Sequence, residues 1–137
     1  MKDRDLQVDN IVYPRNNLWS IVYNLLSNAI KYRSPERPLV VRINTYREDD
    51  AVVLRVEDNG LGLSQHQQPK LFTMFKRFHS HVEGTGIGLY MIKRIIENRG
   101  GRIEFESEEN KGTTFKVYLQ PLGFLQKEPS QGISFKQ

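Results

Sequence analysis

Leu18, Ile21, Val22, Leu25, Ala29 and Tyr32 recur at intervals of three and four residues after Pro14, the spacing of one helix face. Proline suits a first helical turn, and "RSPERP" ends the pattern with two prolines, which cannot continue a helix. The spacing predicts a helix from about Arg15 to Tyr32. The period then drops to two. Val41, Ile43 and Thr45 alternate with Arg42, Asn44 and Tyr46; beyond the polar turn "REDD", Val52, Leu54 and Val56 alternate with Val53, Arg55 and Glu57. Two such runs around a short turn predict an antiparallel hairpin.

"DNGLGLS" interrupts the alternation with two glycines, and a polar segment with aromatic residues, "QHQQPKLFTMFKRFHSHVEG", follows. Ile87, Met91, Ile92, Ile95 and Ile96 mark a second helix that "NRGG" should cap. Ile103 and Phe105, then Phe115, Val117 and Leu119, give two further strands around "ENKG". The order helix, two strands, loop, helix, two strands, with one apolar and one polar face per strand, predicts an α+β fold. Its mostly antiparallel sheet should carry the helices on one face, a two-layer α/β sandwich. Residues 1–121 read as one domain and residues 122–137, which show no period, as a tail or linker.

With 137 residues the chain suffices for one core. It has no cysteine, which removes disulfides and thiolate metal sites. No apolar run approaches a membrane span, and the charged opening "MKDRDLQVDN" lacks the core of a secretory signal; a cytoplasmic location is the expectation. The net charge of +4 comes from 20 basic and 16 acidic residues that alternate along the chain. That mixing reads as solvated surface with some positive charge near a phosphate site, and no nucleic-acid partner is expected.

Three clusters could carry chemistry. Ser20, Asn24, Ser27, Asn28 and Lys31 share one stripe of the first helix. A solvated face is the commonest fate of such a stripe, but Trp19, Tyr23, Leu26 and Ile30 flank it with apolar side chains, which predicts an unusually buried helix and a lined pocket. Asn carbonyls suit Mg²⁺, and Lys31 offers a point charge for phosphate. Asp58 continues the inward phase of Val52, Leu54 and Val56. It is either a strand-end cap bonded to the "NGLG" amides or an acceptor for an exocyclic amine such as that of adenine. Finally, "GTGIGL" places Gly84, Gly86 and Gly88 where a helix opens, an arrangement that can receive an anion; it matches neither the dinucleotide fingerprint nor a Walker A loop. His79 and His81 lack a third metal ligand and read as loop residues. Phe72, Phe75 and Phe78 predict a short helix docked on the core, or the anchor of a lid with Lys76 and Arg77 toward phosphates.

In this order the clusters resemble the ATP-binding catalytic domain of sensor histidine kinases, within the GHKL superfamily and its Bergerat fold. "NLLSNAIKY" is similar to the asparagine box, "VEDNGLGL" to the first glycine box, "LFTMFKRFH" to the phenylalanine box and "GTGIGLYMIKRIIENRGG" to the second glycine box; "KGTTFKVYL" resembles the closing strand. The resemblance implies ATP and Mg²⁺ as ligands, with Asn28 on the metal and Asn24, Lys31 and Tyr32 beside the phosphates. It puts Asp58 on the adenine amine, with Gly60 and Gly62 allowing close approach. Gly62 to Gly84 would be an ATP lid, mobile from about Leu63 to Glu83, with Lys76 or Arg77 closing on phosphate. Gly84, Thr85, Gly86, Ile87, Gly88 and Leu89 would meet the phosphate chain.

Asn24, Lys31 and Arg77 are the catalytic candidates that the resemblance implies. It further implies a module donating the γ-phosphate to a histidine on a separate dimerisation domain of its parent kinase, and through it to a response regulator. No membrane contact by this fragment is expected, even in a membrane-anchored parent. None of His66, His79 or His81 lies in the family's acceptor context. Related ATPases of the superfamily carry a glutamate base where Asn24 stands, which favours phosphoryl transfer to a partner. An anti-sigma-factor type serine kinase and a nucleotide-sensing GHKL module without transfer are the alternatives.

Overall fold

A computed structural model describes residues 3–7, 10–73, 88–121 and 133–134. Among the described residues, seven strands and two α-helices follow the order β1 (Asp3–Leu6), β2 (Asn10–Ile11), α1 (Arg15–Lys31), β3 (Val41–Glu48), β4 (Ala51–Asp58), α2 (Gly88–Asn98), β5 (Arg102–Glu108), β6 (Gly112–Leu119) and β7 (Ile133–Ser134), with a 3₁₀ turn at Gln68–Lys70 between β4 and α2. The five-stranded sheet runs β1-β3-β4-β6-β5. Every pairing is antiparallel except β1 against β3.

The first helix starts, and both helices stop, where the sequence places the signals. Leu18 N–H donates to the Pro14 carbonyl at 3.0 Å, and the last turn of α1 closes on Tyr32, whose N–H donates to Asn28 O. Arg33 reaches back to the Ile30 carbonyl at 2.8 Å, a basic side chain at the negative end of the helix. Gly100, with φ of 82°, sends its N–H to Glu97 O while Gly101 N–H goes to Ile96 O, both at 3.0 Å. This paired closure is the Schellman motif, whose left-handed residue is cheapest as glycine. In the β3–β4 hairpin, Asp49 takes φ of 55°, a conformation short polar side chains tolerate.

One apolar layer joins the helices to the sheet. Leu18, Ile21, Leu25 and Ala29 of α1 and Ile92 and Ile96 of α2 are buried against Val52, Leu54, Val56, Phe115, Val117 and Leu119 of the central strands. The opposite face is less polar than the alternation predicts. There Ala51, Val53 and Tyr118 form a second small cluster with Tyr46, and the Arg102 guanidinium lies 3.7 Å from the centre of the Tyr118 ring.

Two differences concern the ends of the chain. Asp3–Leu6, whose "DRDL" has no apolar alternation, adds an edge strand in parallel register, with Leu6 opposite Thr45. From the stretch read as a tail, Ile133–Ser134 pairs antiparallel with Asn10–Ile11. No helix among the described residues is long and apolar enough to cross a membrane.

Candidate functional site

Two close contacts bring the three sequence clusters together. At the first, α2 meets α1: a β-carbon at Gly88 would fall inside contact distance of Asn24 Oδ1. Gly88 of α2 thus lies against the amide stripe, and a side chain there would have to push the Asn24 amide aside. Asn24 is held from its other side, where Nδ2 donates to Ser20 O at 2.8 Å. At the second contact, the end of α1 meets the glycine turn after β4. Leu61 N–H donates to the Tyr32 carbonyl at 2.8 Å, and a β-carbon at Gly60 would stand 2.5 Å from that carbonyl oxygen.

The polar stripe of α1 lies at the margin of the core. Ser20, Asn24, Ser27 and Asn28 are half-buried and Lys31 is exposed at the last turn. Leu18, Ile21, Leu25 and Ala29 cover one flank, as expected. The other flank corrects the sequence reading: Trp19 is 62% exposed, Tyr23 60% and Ile30 45%, and only Leu26 packs on the core. The helix is therefore amphipathic with an apolar outer edge.

Asp58 ends the inward row of β4, opposite Val41 on β3 and Thr113 on β6. Its Oδ1 accepts the Gly60 N–H at 2.8 Å and the Thr113 N–H at 3.3 Å, so the strand-end cap is present. Burial pushes its carboxyl above the usual range, the two N–H donors work against that shift, and neighbouring Glu57 adds to it. Both backbone donors converge on one oxygen. A half-buried carboxylate that is costly to ionise gains from a further donor on the other.

The turn that carries Asp58 is tied down on two sides. Asn59 Oδ1 accepts Val40 N–H at 2.9 Å and its Nδ2 donates to Pro38 O at 3.0 Å. Arg37 donates from Nε to Asn59 O at 2.8 Å and from Nη2 to Gly60 O at 2.9 Å and Asn110 O at 2.6 Å. Sequence reading took "RSPERP" only as a helix stop and missed Arg37. Its acceptors are backbone carbonyls 22, 23 and 73 residues away, and no motif marks a carbonyl.

Past Gly62, residues 63–73, the first part of the expected lid, contact β5 and β6. Leu63 N–H donates to Ser107 Oγ at 2.8 Å, and Gln68 Nε2 donates to Leu63 O and Ser107 O. Leu63 and Leu71 are buried, and Phe72 meets Phe105 and Phe115 edge-on. The polar composition of this stretch concealed apolar anchors at Leu63, Leu71 and Phe72. The rest of the expected lid, including Lys76 and Arg77, lies outside the described residues, as do Phe75, Phe78, His79, His81, Gly84, Thr85, Gly86 and Ile87. Gly88 and Leu89, the last of that group, open α2.

Asn28 is a half-buried amide beside the core row of α1, and a carboxamide oxygen is a ligand that suits Mg²⁺. Among the described residues no group of three or more His, Asp or Glu side chains converges. A hard cation would therefore arrive with phosphate oxygens and water as its other ligands.

The profile of the family described as "Histidine kinase-, DNA gyrase B-, and HSP90-like ATPase" matches residues 14–122. Relatives include the sensor protein RprX of Bacteroides fragilis, 36% identical over 75% of this chain and 21% of its own length. The circadian input-output histidine kinase CikA of Synechococcus elongatus is 35% identical over 84% of this chain and 16% of its own. The aerobic respiration control sensor protein ArcB of Escherichia coli is 37% identical over 80% and 14%. The chain thus spans about a fifth or less of these relatives. Among solved structures, a mycobacterial sensor histidine kinase MprB superposes with a TM-score of 0.74 at 23% identity, covering 88% of this chain and 84% of that one.

Proposed function

Because the chain belongs to the histidine kinase-, DNA gyrase B- and HSP90-like ATPase family, an ATP-binding family, we propose that it is the catalytic module of a sensor histidine kinase. It binds Mg-ATP and presents the γ-phosphate to a histidine on the dimerisation domain of its parent. The observation that carries this reading is the double junction at the site: Asn24 against Gly88 at one end of the stripe, and Tyr32 against Gly60 at the other. In this reading one surface holds an amide row, a lysine, the described start of α2 and a half-buried carboxylate.

Each group has a task that its chemistry suits. Asp58 accepts the adenine amine on Oδ2 and repels the carbonyl guanine would place there. Lys31 and the amides of α2 attract phosphate. Asn28 holds the Mg²⁺, which when bound neutralises charge on the phosphate oxygens. Asn24 is engaged by Ser20, and a carboxamide is no base, so no side chain there activates water. The reaction is transfer: the bond from the γ-phosphorus to the bridging oxygen of ADP breaks as a bond to the histidine nitrogen forms. Lys76 and Arg77 would close on the phosphates from the lid. The parent passes the phosphoryl group to a response regulator and works in the cytoplasm.

Calorimetry with ATP, with and without Mg²⁺, tests binding; Asn28→Ala should remove mainly the Mg-dependent part. Mixing the chain with the parent's dimerisation domain and γ-labelled ATP tests transfer, with acid-labile label on histidine expected. Acid-stable label on a serine, or no binding at millimolar ATP, would reject the proposal.

A further inference from the structure

The Arg37 guanidinium joins the two backbone segments that hold Asp58. One is the Asn59–Gly60 turn, through carbonyls at 2.8 and 2.9 Å; the other is the β5–β6 corner, through Asn110 O at 2.6 Å. The corner also sends Asn110 N–H to Leu61 O at 2.7 Å. Just beyond it, Thr113 supplies one of the two N–H groups on Asp58 Oδ1, and Gly60 in the turn supplies the other. The segments meeting at Arg37 are therefore the same two that orient the carboxylate.

We propose that Arg37 is a positioning residue for adenine recognition, locking the turn and the corner together so that the Asp58 carboxylate keeps the orientation that meets the base. This rests on the ATP-binding reading given above. The placement is built in. Pro35 and Pro38 restrict the backbone on either side of Arg37, and Asn59 seals the same segment through Pro38 O and the Val40 N–H. A planar fork of donors can serve three acceptors on two segments at once; a lysine ammonium is a point charge on a flexible stem and cannot hold the same geometry.

The test is calorimetric titration of the full chain, wild type and Arg37→Ala, Arg37→Lys, Asp58→Asn and the double variant Arg37→Ala/Asp58→Asn. The probes are ATP and inorganic tripolyphosphate, each with Mg²⁺. Arg37→Ala should weaken ATP binding by about tenfold, the loss of one charge-assisted hydrogen bond's worth of alignment, and leave tripolyphosphate unchanged. Arg37→Lys should recover only part of the loss. In the Asp58→Asn background the alanine substitution should add little, because the contact it positions is already gone.

Wild-type ATP affinity in Arg37→Ala, or in Arg37→Lys should the alanine variant not fold, would overturn the proposal. So would equal losses for ATP and tripolyphosphate, or effects that multiply in the double variant. Failure of the wild type itself to bind ATP would reject the functional reading instead, and is seen in the first titration.

Discussion

Gly60→Ala probes the junction of α1 with the adenine side of the site. The new β-carbon would stand 2.5 Å from the Tyr32 carbonyl oxygen and 3.0 Å from Asp58 Oδ1. Side chains in real proteins keep at least 3.0 Å from such atoms, so the carbonyl must retreat by at least half an ångström. Moved along its hydrogen bond, that retreat stretches the 2.8 Å Leu61–Tyr32 contact to about 3.3 Å and loses most of a bond worth about 1 kcal/mol. Overpacking adds about 1–3 kcal/mol, and the stiffer unfolded chain returns about 0.4–1 kcal/mol.

The net destabilisation is about 1–3 kcal/mol, or about 3–10 °C in Tm for a domain of this size. Gly100→Ala is the matched control. Its β-carbon would meet only Gln120 Cγ at 3.8 Å, but φ is 82°, so the cost is conformational, about 1–2 kcal/mol, and remote from the site. Differential scanning calorimetry and ATP titration separate the two. Both variants should lose Tm, and only Gly60→Ala should lose ATP affinity. Unchanged affinity in Gly60→Ala, or equal losses in both, would refute the argument that this contact shapes the site.

Asp58→Asn should uncouple stability from binding. The raised carboxyl means that Asp58 favours the fold fully only below the ordinary carboxylate pKa of about 3.9, and this is lost as pH rises through the folded value. The variant should therefore unfold later than wild type at pH 7, lose that advantage below about pH 4, and bind ATP worse throughout; urea titrations across pH check it. Tyr13, buried beside Arg99, has its phenol pushed up to about 12 by burial, with Arg99 opposing. Its contribution should hold below about pH 10, vanish as pH rises through 12, and be absent from the alkaline transition of Tyr13→Phe, followed by circular dichroism. The chain alone should release phosphate from ATP near the uncatalysed rate, since a missing general base is worth about 10²–10⁴-fold; robust turnover in a phosphate-release assay would favour an ATPase.

The central elements were legible because each obeys a single period. Leu18, Ile21, Leu25 and Ala29 face the core as their spacing requires, and Asp58 falls inward at the end of the Val52, Leu54, Val56 row. What escaped the sequence depends on contacts between distant segments. Asp3–Leu6 becomes a strand through the β3 edge it borders, since its own residues carry no alternation. Val53 is buried on the face expected to be polar because Tyr118 and Tyr46 cover it. The apolar residues around the Asn24–Asn28 stripe suggested burial on both sides, whereas Trp19 and Tyr23 stand out from the fold with ring centres 6.5 Å apart.

The sheet ends at β5, which pairs with β6 alone among the described strands. Its outward positions are Arg102, Glu104, Glu106 and Glu108, alternating with half-buried Ile103, Phe105 and Ser107. An open edge is a template for another strand. Here a second copy laid antiparallel would bring a row of one arginine and three glutamates, net negative, against the same row, and like net charge opposes pairing. A concentrated solution of this domain is thereby guarded against ribbon growth at neutral pH. The guard is electrostatic, so raising the ionic strength should shorten its reach and ease strand-to-strand association.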